Sequence, residues 1–277
     1  RRDEGSLAAF HNVCRHRAAP LLWEDRAEPC AVLRCRYHGW RYGLDGKLLA
    51  TPGFGEIVEP EGMGLHPIQL RAWRGILFVC FAPNPPLLSI EGLEVAAAGL
   101  SLEGLVAHRR TRHRLRCGWK TYVENYLEGY HIPWLHPGLS PEISQRGYRV
   151  EVAGRAAIHR VPTRPGAVSE GFWAWVWPNM AINVYTGGMS LEVMNPVGPA
   201  EMEIVYTYLF QAALSDAERE ATIAMSAEVT AEDVQICEAV QRNLSAGVYE
   251  SGRLSPQHEG AVAAFQDWVR AALAPGQ

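Results

Sequence analysis

Two groups of cysteine and histidine residues in this 277-residue chain stand at spacings that could bind metal. The first is Cys14-Arg15-His16, followed after an interval of 18 residues by Cys35-Arg36-Tyr37-His38. Four soft or borderline donors in two clips suit a tetrahedral zinc or an iron–sulfur cluster. Zinc clips usually pair like with like, whereas each clip here joins one thiolate to one imidazole. That mixture lets two Cys hold one iron and two His the other. Replacing two anionic thiolates by neutral imidazoles raises such a [2Fe–2S] cluster to about −150 to +300 mV, from about −400 mV for an all-Cys plant-type cluster. A zinc knuckle stays open as the alternative at this point. Cys30, inside the intervening loop, is not expected to be a ligand, and Cys80, Cys117 and Cys237 read as small buried hydrophobes.

The second group lies in Trp119–Leu139. The spacing of Trp119, Tyr122, Val123, Tyr126, Leu127 and Tyr130 predicts a helix over 117–131. On it Glu124, Glu128 and His131 stand at i, i+4 and i+7, sharing a face. Pro133 then breaks the helix and His136 follows. Two imidazoles five residues apart across a bend can converge on one ion. A carboxylate from elsewhere would complete a 2-His-1-carboxylate triad, which leaves positions open for O2 and is the geometry of non-heme Fe(II) oxygenases. The bland alternative is a capped helix end with surface histidines.

These groups need elements to position them. Residues 1–83 carry short β-type runs, Leu7–Val13, Ala31–Cys35, Trp40–Leu44 and Ile76–Phe81, punctuated by turns at Asp45-Gly46 and Thr51-Pro52-Gly53. Pro83-Asn84-Pro85-Pro86 reads as a linker, and an α+β segment follows. Residues 172–186 and 201–211 alternate as strands, the second with Ile204, Tyr206, Tyr208 and Phe210 on one face. Ser215 with Glu218 reads as a capping box, Thr230 with Asp233 as another, and Ser255-Pro256 as a third helix start. Trp173, Trp175 and Trp177 share one strand face. They suit either a sheet core or a cradle for a trimethylammonium group, which cation–π attraction favours by about 0.5–2 kcal/mol per ring. Tyr185, Tyr206 and Tyr208 offer the same choice. A formal charge of −4 gives no global basic field for nucleic acid. The longest apolar runs are strand-length, too short for a membrane span. The six cysteines are too sparse for a disulfide scaffold. The chain is expected to be cytoplasmic and, since Arg1 is no initiator, to begin inside a longer product.

Cys35–Leu48 (CRYHGWRYGLDGKL), with His11-Asn12-Val13 ahead of Cys14, resembles the Rieske domain of aromatic-ring-hydroxylating oxygenase α subunits. Trp119–Leu139 (WKTYVENYLEGYHIPWLHPGL) is similar to the catalytic-iron motif of these Rieske non-heme iron oxygenases, in the branch with choline, glycine betaine and carnitine oxygenases. Thr230–Leu244 is similar to the segment that supplies the family's Asp, and Tyr249–Glu259 resembles the tail of the branch. Three departures stand out: the 18-residue interval is slightly long, the stretch between Tyr148 and Phe172 is short, and the family's leading segment is missing. The resemblance implies an α+β fold, with a β-rich Rieske [2Fe–2S] domain over 1–83 and a catalytic domain over 84–277, an antiparallel sheet flanked by helices. It implies that Cys14, His16, Cys35 and His38 hold the cluster. His131, His136 and Asp233 would hold Fe(II), with Glu232 and Glu238 competing for the third place. Catalytic roles fall on Asn125 and on Glu128, the acidic bridge between the metal centres of neighbouring subunits in a homotrimer. Electrons would come from NAD(P)H through a separate flavin- or ferredoxin-type reductase. The implied reaction is hydroxylation of a C–H bond of a quaternary or N-methyl amine, with Trp173, Trp175, Tyr185 and Tyr206 as substrate contacts. An arene dioxygenase is the rival within the class, and a Rieske electron carrier or zinc-stabilised module is the rival outside it.

Overall fold

The computed structural model describes residues 5–24, 29–55, 61–81, 93–94, 97–144 and 146–274. The chain divides into two compact units, Arg1–Leu88 and Ser89–Gln277. The linker expected at Pro83–Pro86 lies outside the described residues.

The first unit is built from six short strands: β1 (Ala9–Phe10), β2 (Leu33–Arg34), β3 (Arg41–Tyr42), β4 (Leu48–Ala50), β5 (Pro67–Trp73) and β6 (Ile76–Cys80). They form two three-stranded sheets, β1-β5-β6 and β2-β3-β4. The β3–β4 turn uses its Asp-Gly pair in two ways. The Asp45 carboxylate accepts the Lys47 N–H at 3.0 Å, and Gly46 takes a φ of +83° that a side chain would resist. Cys14, Leu21, Cys35, Trp40, Tyr42, Leu48 and Leu65 form the core of this unit. Cys80 departs from expectation: it is exposed, on a strand whose Leu77 and Val79 also face outward.

The second unit is α+β. Seven strands, β7 (Val106–Leu115), β8 (Arg149–Ala153), β9 (Ala156–Arg160), β10 (Ser169–Val176), β11 (Met180–Tyr185), β12 (Gly188–Gly198) and β13 (Glu201–Phe210), form one antiparallel sheet in the order β7-β13-β12-β11-β10-β9-β8. The period-2 pattern of β13 holds: Met202, Ile204, Tyr206, Tyr208 and Phe210 are all buried. Against this face lie α1 (Trp119–Tyr126) and α3 (Asp216–Ser245), with α2 (Ile132–Leu135) between them in sequence and α4 (Gly260–Leu273) at the end.

Three helix boundaries differ from the sequence expectation. Helix α1 ends at Tyr126, with Leu127 as its C-cap, so Glu124, Glu128 and His131 do not share one helical face. Glu124 instead accepts from Gln266 Nε2 at 3.0 Å. The chain turns at Gly129, where the Tyr148 hydroxyl occupies the space a side chain would need. Helix α3 opens with the expected Ser215–Glu218 capping box. Thr230 and Asp233, however, lie in its interior, and Thr230 Oγ1 donates to Ser226 O at 2.7 Å instead of capping anything. Ser255-Pro256 forms a turn, and α4 begins only at Gly260. The buried stripe of α3 is largely polar: Thr222, Ser226, Thr230 and Asp233, alongside Ile223 and Cys237. Such a face packs on something other than pure apolar core.

Candidate metal centres and their cavity

In the first unit the two clips are built alike. Cys14 N–H donates to Ala19 O (2.8 Å) and Cys14 O accepts from Ala18 N–H (3.0 Å). Cys35 repeats the pattern with Trp40 O (2.8 Å) and Gly39 N–H (3.0 Å). Each turn needs a left-handed residue at the same place, Ala18 with φ +58° and Gly39 with φ +74°. The turns bring His16 and His38 together, ring centroids 4.6 Å apart, with His16 stacked on Trp40. Both thiols are buried and neither is in a disulfide. Tyr42 Oη accepts the Arg15 N–H (3.0 Å) and shares a hydrogen bond with Cys14 Sγ, 3.3 Å away. Burial, with Cys14 next, pushes the Tyr42 pKa up, so the phenol keeps its proton. His16 Nδ1 is buried with no hydrogen-bond partner. A buried thiol pair beside an imidazole nitrogen that lacks any partner is a donor set that fits a [2Fe–2S] cluster.

In the second unit, three donors from two parts of the chain converge. His131 caps α2 and His136 ends it, while Asp233 comes from the middle of α3. One ligand atom from each lies within 4.8 Å of the others. The two Nε2 atoms are 3.2 Å apart, and Asp233 Oδ1 is 3.2 Å from His136 Nε2 and 3.8 Å from His131 Nε2. The opposite edge of each ring is held by a carboxylate: His131 Nδ1 by Glu128 Oε1 at 2.5 Å and His136 Nδ1 by Glu232 Oε2 at 2.7 Å. A proton fixed at each Nδ1 leaves a lone pair at each Nε2, aimed at the same point. Two lone pairs so placed repel unless a cation lies between them, which is the arrangement metal-binding imidazoles adopt. Burial alone would depress the His136 pKa, but Asp233 and Glu232 outweigh it and raise it.

The sequence reading named three carboxylates for one place, and the structure separates them. Asp233 faces the ring nitrogens, Glu232 orients His136 from behind, and Glu238 accepts the Arg116 N–H at 2.9 Å, away from the centre. Asn125 Nδ2 donates to Asp233 Oδ1 at 2.7 Å. Glu128, mostly buried, also accepts the Tyr130 and His131 N–H groups through Oε2.

The donors open on a cavity of about 110 Å³. Trp173, Tyr185 and Tyr206 line it as expected. Trp175 does not: it is fully buried, stacked parallel to Trp268 and edge-on to Phe265 of α4, and so belongs to the core. Sequence reasoning missed His159, Tyr148, Asn183 and Glu192, all of which line the cavity. His159 directly follows the apolar run Ala156–Ile158, and Glu192 stands between Leu191 and Val193, and that signal was available. Glu192 is 2% exposed, held by Tyr122 Oη (2.9 Å) and Asn183 Nδ2 (3.4 Å). Burial pushes its carboxyl up to about 7, the two tyrosine hydroxyls of Tyr122 and Tyr206 opposing.

Two family models match this chain: the Rieske [2Fe–2S] domain over residues 1–61, and the ring hydroxylating alpha subunit (catalytic domain) over residues 102–275. Choline monooxygenase, chloroplastic, of Beta vulgaris is 31% identical over 294 residues, covering 99% of this chain and 65% of that protein. The carnitine monooxygenase oxygenase subunit of Escherichia coli (strain K12) is 28% identical over 275 residues, covering 92% of this chain and 73% of that protein. A solved quaternary ammonium Rieske monooxygenase shares the fold with a TM-score of 0.80 at 24% identity, over 95% of this chain and 78% of that one. The chain thus spans slightly under two thirds of the length of the choline monooxygenase it matches.

Proposed function

We infer an oxygenase reaction from the premise that this chain belongs to the ring-hydroxylating α-subunit family, with a Rieske [2Fe–2S] domain ahead of the catalytic domain. Those domains use a [2Fe–2S] cluster and a non-heme iron. Cys14 and Cys35 would hold one cluster iron and His16 and His38 the other; His131, His136 and Asp233 would hold the mononuclear Fe(II). When bound, the cluster relays single electrons and the iron activates O2, so that a substrate C–H becomes C–OH while the other oxygen atom leaves as water, with uptake of two electrons and two protons.

The chain's own residues prepare the site. Glu128 and Glu232 keep the protons of His131 and His136 on Nδ1, so both Nε2 lone pairs stay on the inner side. Asn125 holds Asp233 against rotation. Tyr122, Tyr126, Tyr148, Trp173, Tyr185 and Tyr206 line the cavity beside these donors. For substrate we assign a quaternary or N-methyl amine. The cavity wall carries the carboxyl groups of Glu128, Glu192 and Asp233 but no Lys or Arg among the described residues. Trp173, Tyr185 and Tyr206 add ring faces that attract a cation by about 0.5–2 kcal/mol each. A neutral arene would use the rings but would leave Glu192, the one of these three acids with no role at the iron, unanswered. Electrons are assigned to a separate flavin- or ferredoxin-type reductase, in keeping with a relative described as an oxygenase subunit. We further assign a homotrimer in which Glu128 bridges the centres of neighbouring subunits. No helix among the described residues is long and apolar enough to cross a membrane, and all six thiols are unpaired, in keeping with a cytoplasmic location.

The observation that carries this reading is the convergence of His131, His136 and Asp233 on the cavity wall. Its test is metal quantification and EPR of the anaerobically reduced protein, with O2 uptake on N-methylated amines. The expected result is three irons per chain, a low-average-g Rieske signal and amine-dependent O2 consumption. Zinc without that signal would leave a structural metal module, and two irons without O2 uptake an electron carrier.

A further inference from the structure

The buried stripe that α3 turns toward the sheet is polar, and the metal donors account for only part of it. Ser226 and Thr230 instead meet tyrosine hydroxyls of β13. Apolar residues would pack a helix on a sheet equally well, so these hydroxyls call for another purpose. Thr230 leads no further: its Oγ1 lies 3.0 Å from Tyr206 Oη and donates to Ser226 O at 2.7 Å, a carbonyl that cannot hand a proton on.

Ser226 differs. Its side chain lines the cavity, as does that of Tyr185, to which it is hydrogen-bonded. From Ser226 Oγ a line of groups runs outward. Tyr208 Oη lies 2.9 Å away. Tyr208 is hydrogen-bonded in turn to the Thr111 side chain, and Thr111 Oγ1 lies 3.3 Å from His113 Nε2. Thr111 stands directly across from Tyr206 and His113 across from Ile204, so both point to the face that carries Tyr208. Their strand, β7, is an edge of the sheet. Thr111 and His113 are half-buried there, whereas Tyr208 and Ser226 are buried. The line therefore joins the sheet edge to the cavity wall, a continuity that packing alone does not require.

A hydroxyl can accept one proton while giving up its own. A proton taken up by His113 can thus reach the cavity by successive hops. At each oxygen one O–H bond forms as the other breaks, and every group ends as it began. Burial raises the Tyr208 pKa, so the phenol stays protonated between passages. Burial lowers the His113 pKa, so its ring rests neutral and free to accept. The oxygenase reaction takes up two protons when one atom of O2 leaves as water, so two passages would serve one turnover. We propose that His113, Thr111, Tyr208 and Ser226 form the inlet by which solvent protons reach the cavity during O2 reduction. The inference rests on the oxygenase reading above and adds where its protons enter.

The test uses the iron-loaded protein with an N-methylated amine bound and O2 excluded. Glu192 lines the same cavity and, with a pKa of about 7, carries a proton at mildly acid pH. Infrared spectra after transfer to D2O follow exchange of that carboxyl proton, its band being identified by loss in Glu192→Gln. Thr111→Val and Tyr208→Phe keep side-chain shape but break the line, and each should slow exchange about tenfold or more. Valine suits an edge strand, so the test does not depend on the buried variants folding. Ser226→Ala should slow exchange and Ser226→Thr restore it. Thr222→Val should leave the rate unchanged, since the Thr222 hydroxyl donates to Glu218 O within the helix, at 3.1 Å. In turnover, Thr111→Val and Tyr208→Phe should lower kcat by a similar factor with the amine KM unchanged. Exchange at the wild-type rate in both would mean that protons arrive through the cavity mouth. That would overturn the inlet and leave the amine-oxygenase reading standing. Slowed exchange with an unchanged kcat would also overturn it, because the reaction would then draw its protons elsewhere. Absence of amine-dependent O2 uptake by the wild-type protein would overturn both readings.

Discussion

The two metal-donor sets solve one problem in opposite ways. In the first unit, donors sit inside two turns of the same design, and their rings are steadied by stacking on Trp40 and by contact with each other. Among the described residues no carboxylate is hydrogen-bonded to the ring of His16 or His38. In the second unit, each imidazole is backed by a carboxylate at 2.5–2.7 Å, and the third donor arrives from a helix far along the chain. The difference has chemical content. A ring without an anionic partner stays a weak, neutral donor, which suits an electron carrier whose potential must be high. A ring backed by an anion is a stronger base and binds a single divalent ion more firmly. The sharpest way to break the comparison is His131→Ala. It should remove one of three irons per chain and abolish amine-dependent O2 uptake while leaving the cluster's EPR signal intact. Loss of both metals together would show that the two sets are not independent.

The next largest effect concerns what surrounds the second set. Trp173 and Trp175 stand two residues apart on one strand face, yet one lines the cavity and the other is sealed beneath α4. Trp175→Ala should cost about 3–5 kcal/mol of unfolding free energy. The measurement is denaturant unfolding followed by tryptophan fluorescence. Trp173→Ala should cost less and chiefly raise the amine KM. If the two variants were equally destabilised, Trp173 would be core as well.

Replacing Glu232 by Gln tests the backing carboxylates directly. The Gln side chain is nearly isosteric but brings no negative charge to His136 Nδ1. A loss of about 10–100-fold in iron affinity or turnover is expected, by analogy with other carboxylate–histidine–metal pairs. Iron retention during dialysis against a chelator measures it. No change would make the Glu232 contact incidental and put the two donor sets on the same footing.

How far each set was legible in the sequence follows from the same contrast. The clips of the first unit are local, so Cys14-Arg15-His16 and Cys35-Arg36-Tyr37-His38 could be read with no knowledge of the fold. His131 and His136 were equally plain because a bend between them is written as Pro133. Asp233 was harder, since Thr230 ahead of it imitates a helix cap. Only the long α3, whose polar buried stripe faces the cavity, shows that both residues are interior. Glu124, Glu128 and His131 were placed on one helical face because periodicity cannot see that Tyr148 crowds Gly129. Trp175 was misplaced for a related reason: alternation says which residues share a face, not which of them α4 will cover. Cys80 was taken as buried because its strand is apolar throughout, although that strand turns several of its side chains outward.

The smallest effect lies within the first set, at the left-handed position of each turn. Gly39 adopts φ +74° at no steric cost, while Ala18 holds φ +58° in the equivalent place. A left-handed conformation costs an ordinary L residue about 1–2 kcal/mol. Substituting glycine relieves that but adds roughly 0.4–1 kcal/mol of unfolded-chain entropy. Ala18→Gly should therefore stabilise the first unit by about 0 to 1.6 kcal/mol. The reverse change, Gly39→Ala, should destabilise it: the new methyl would meet Pro52 Cγ at an ordinary 3.5 Å, so the loss would come from backbone strain and not from a clash. Bleaching of the cluster absorbance in denaturant reads both. Opposite signs are the expected result. A destabilised Ala18→Gly would mean that the Ala18 methyl is needed for packing around Cys14, and the two turns would then be alike in hydrogen bonding but not in how they are held.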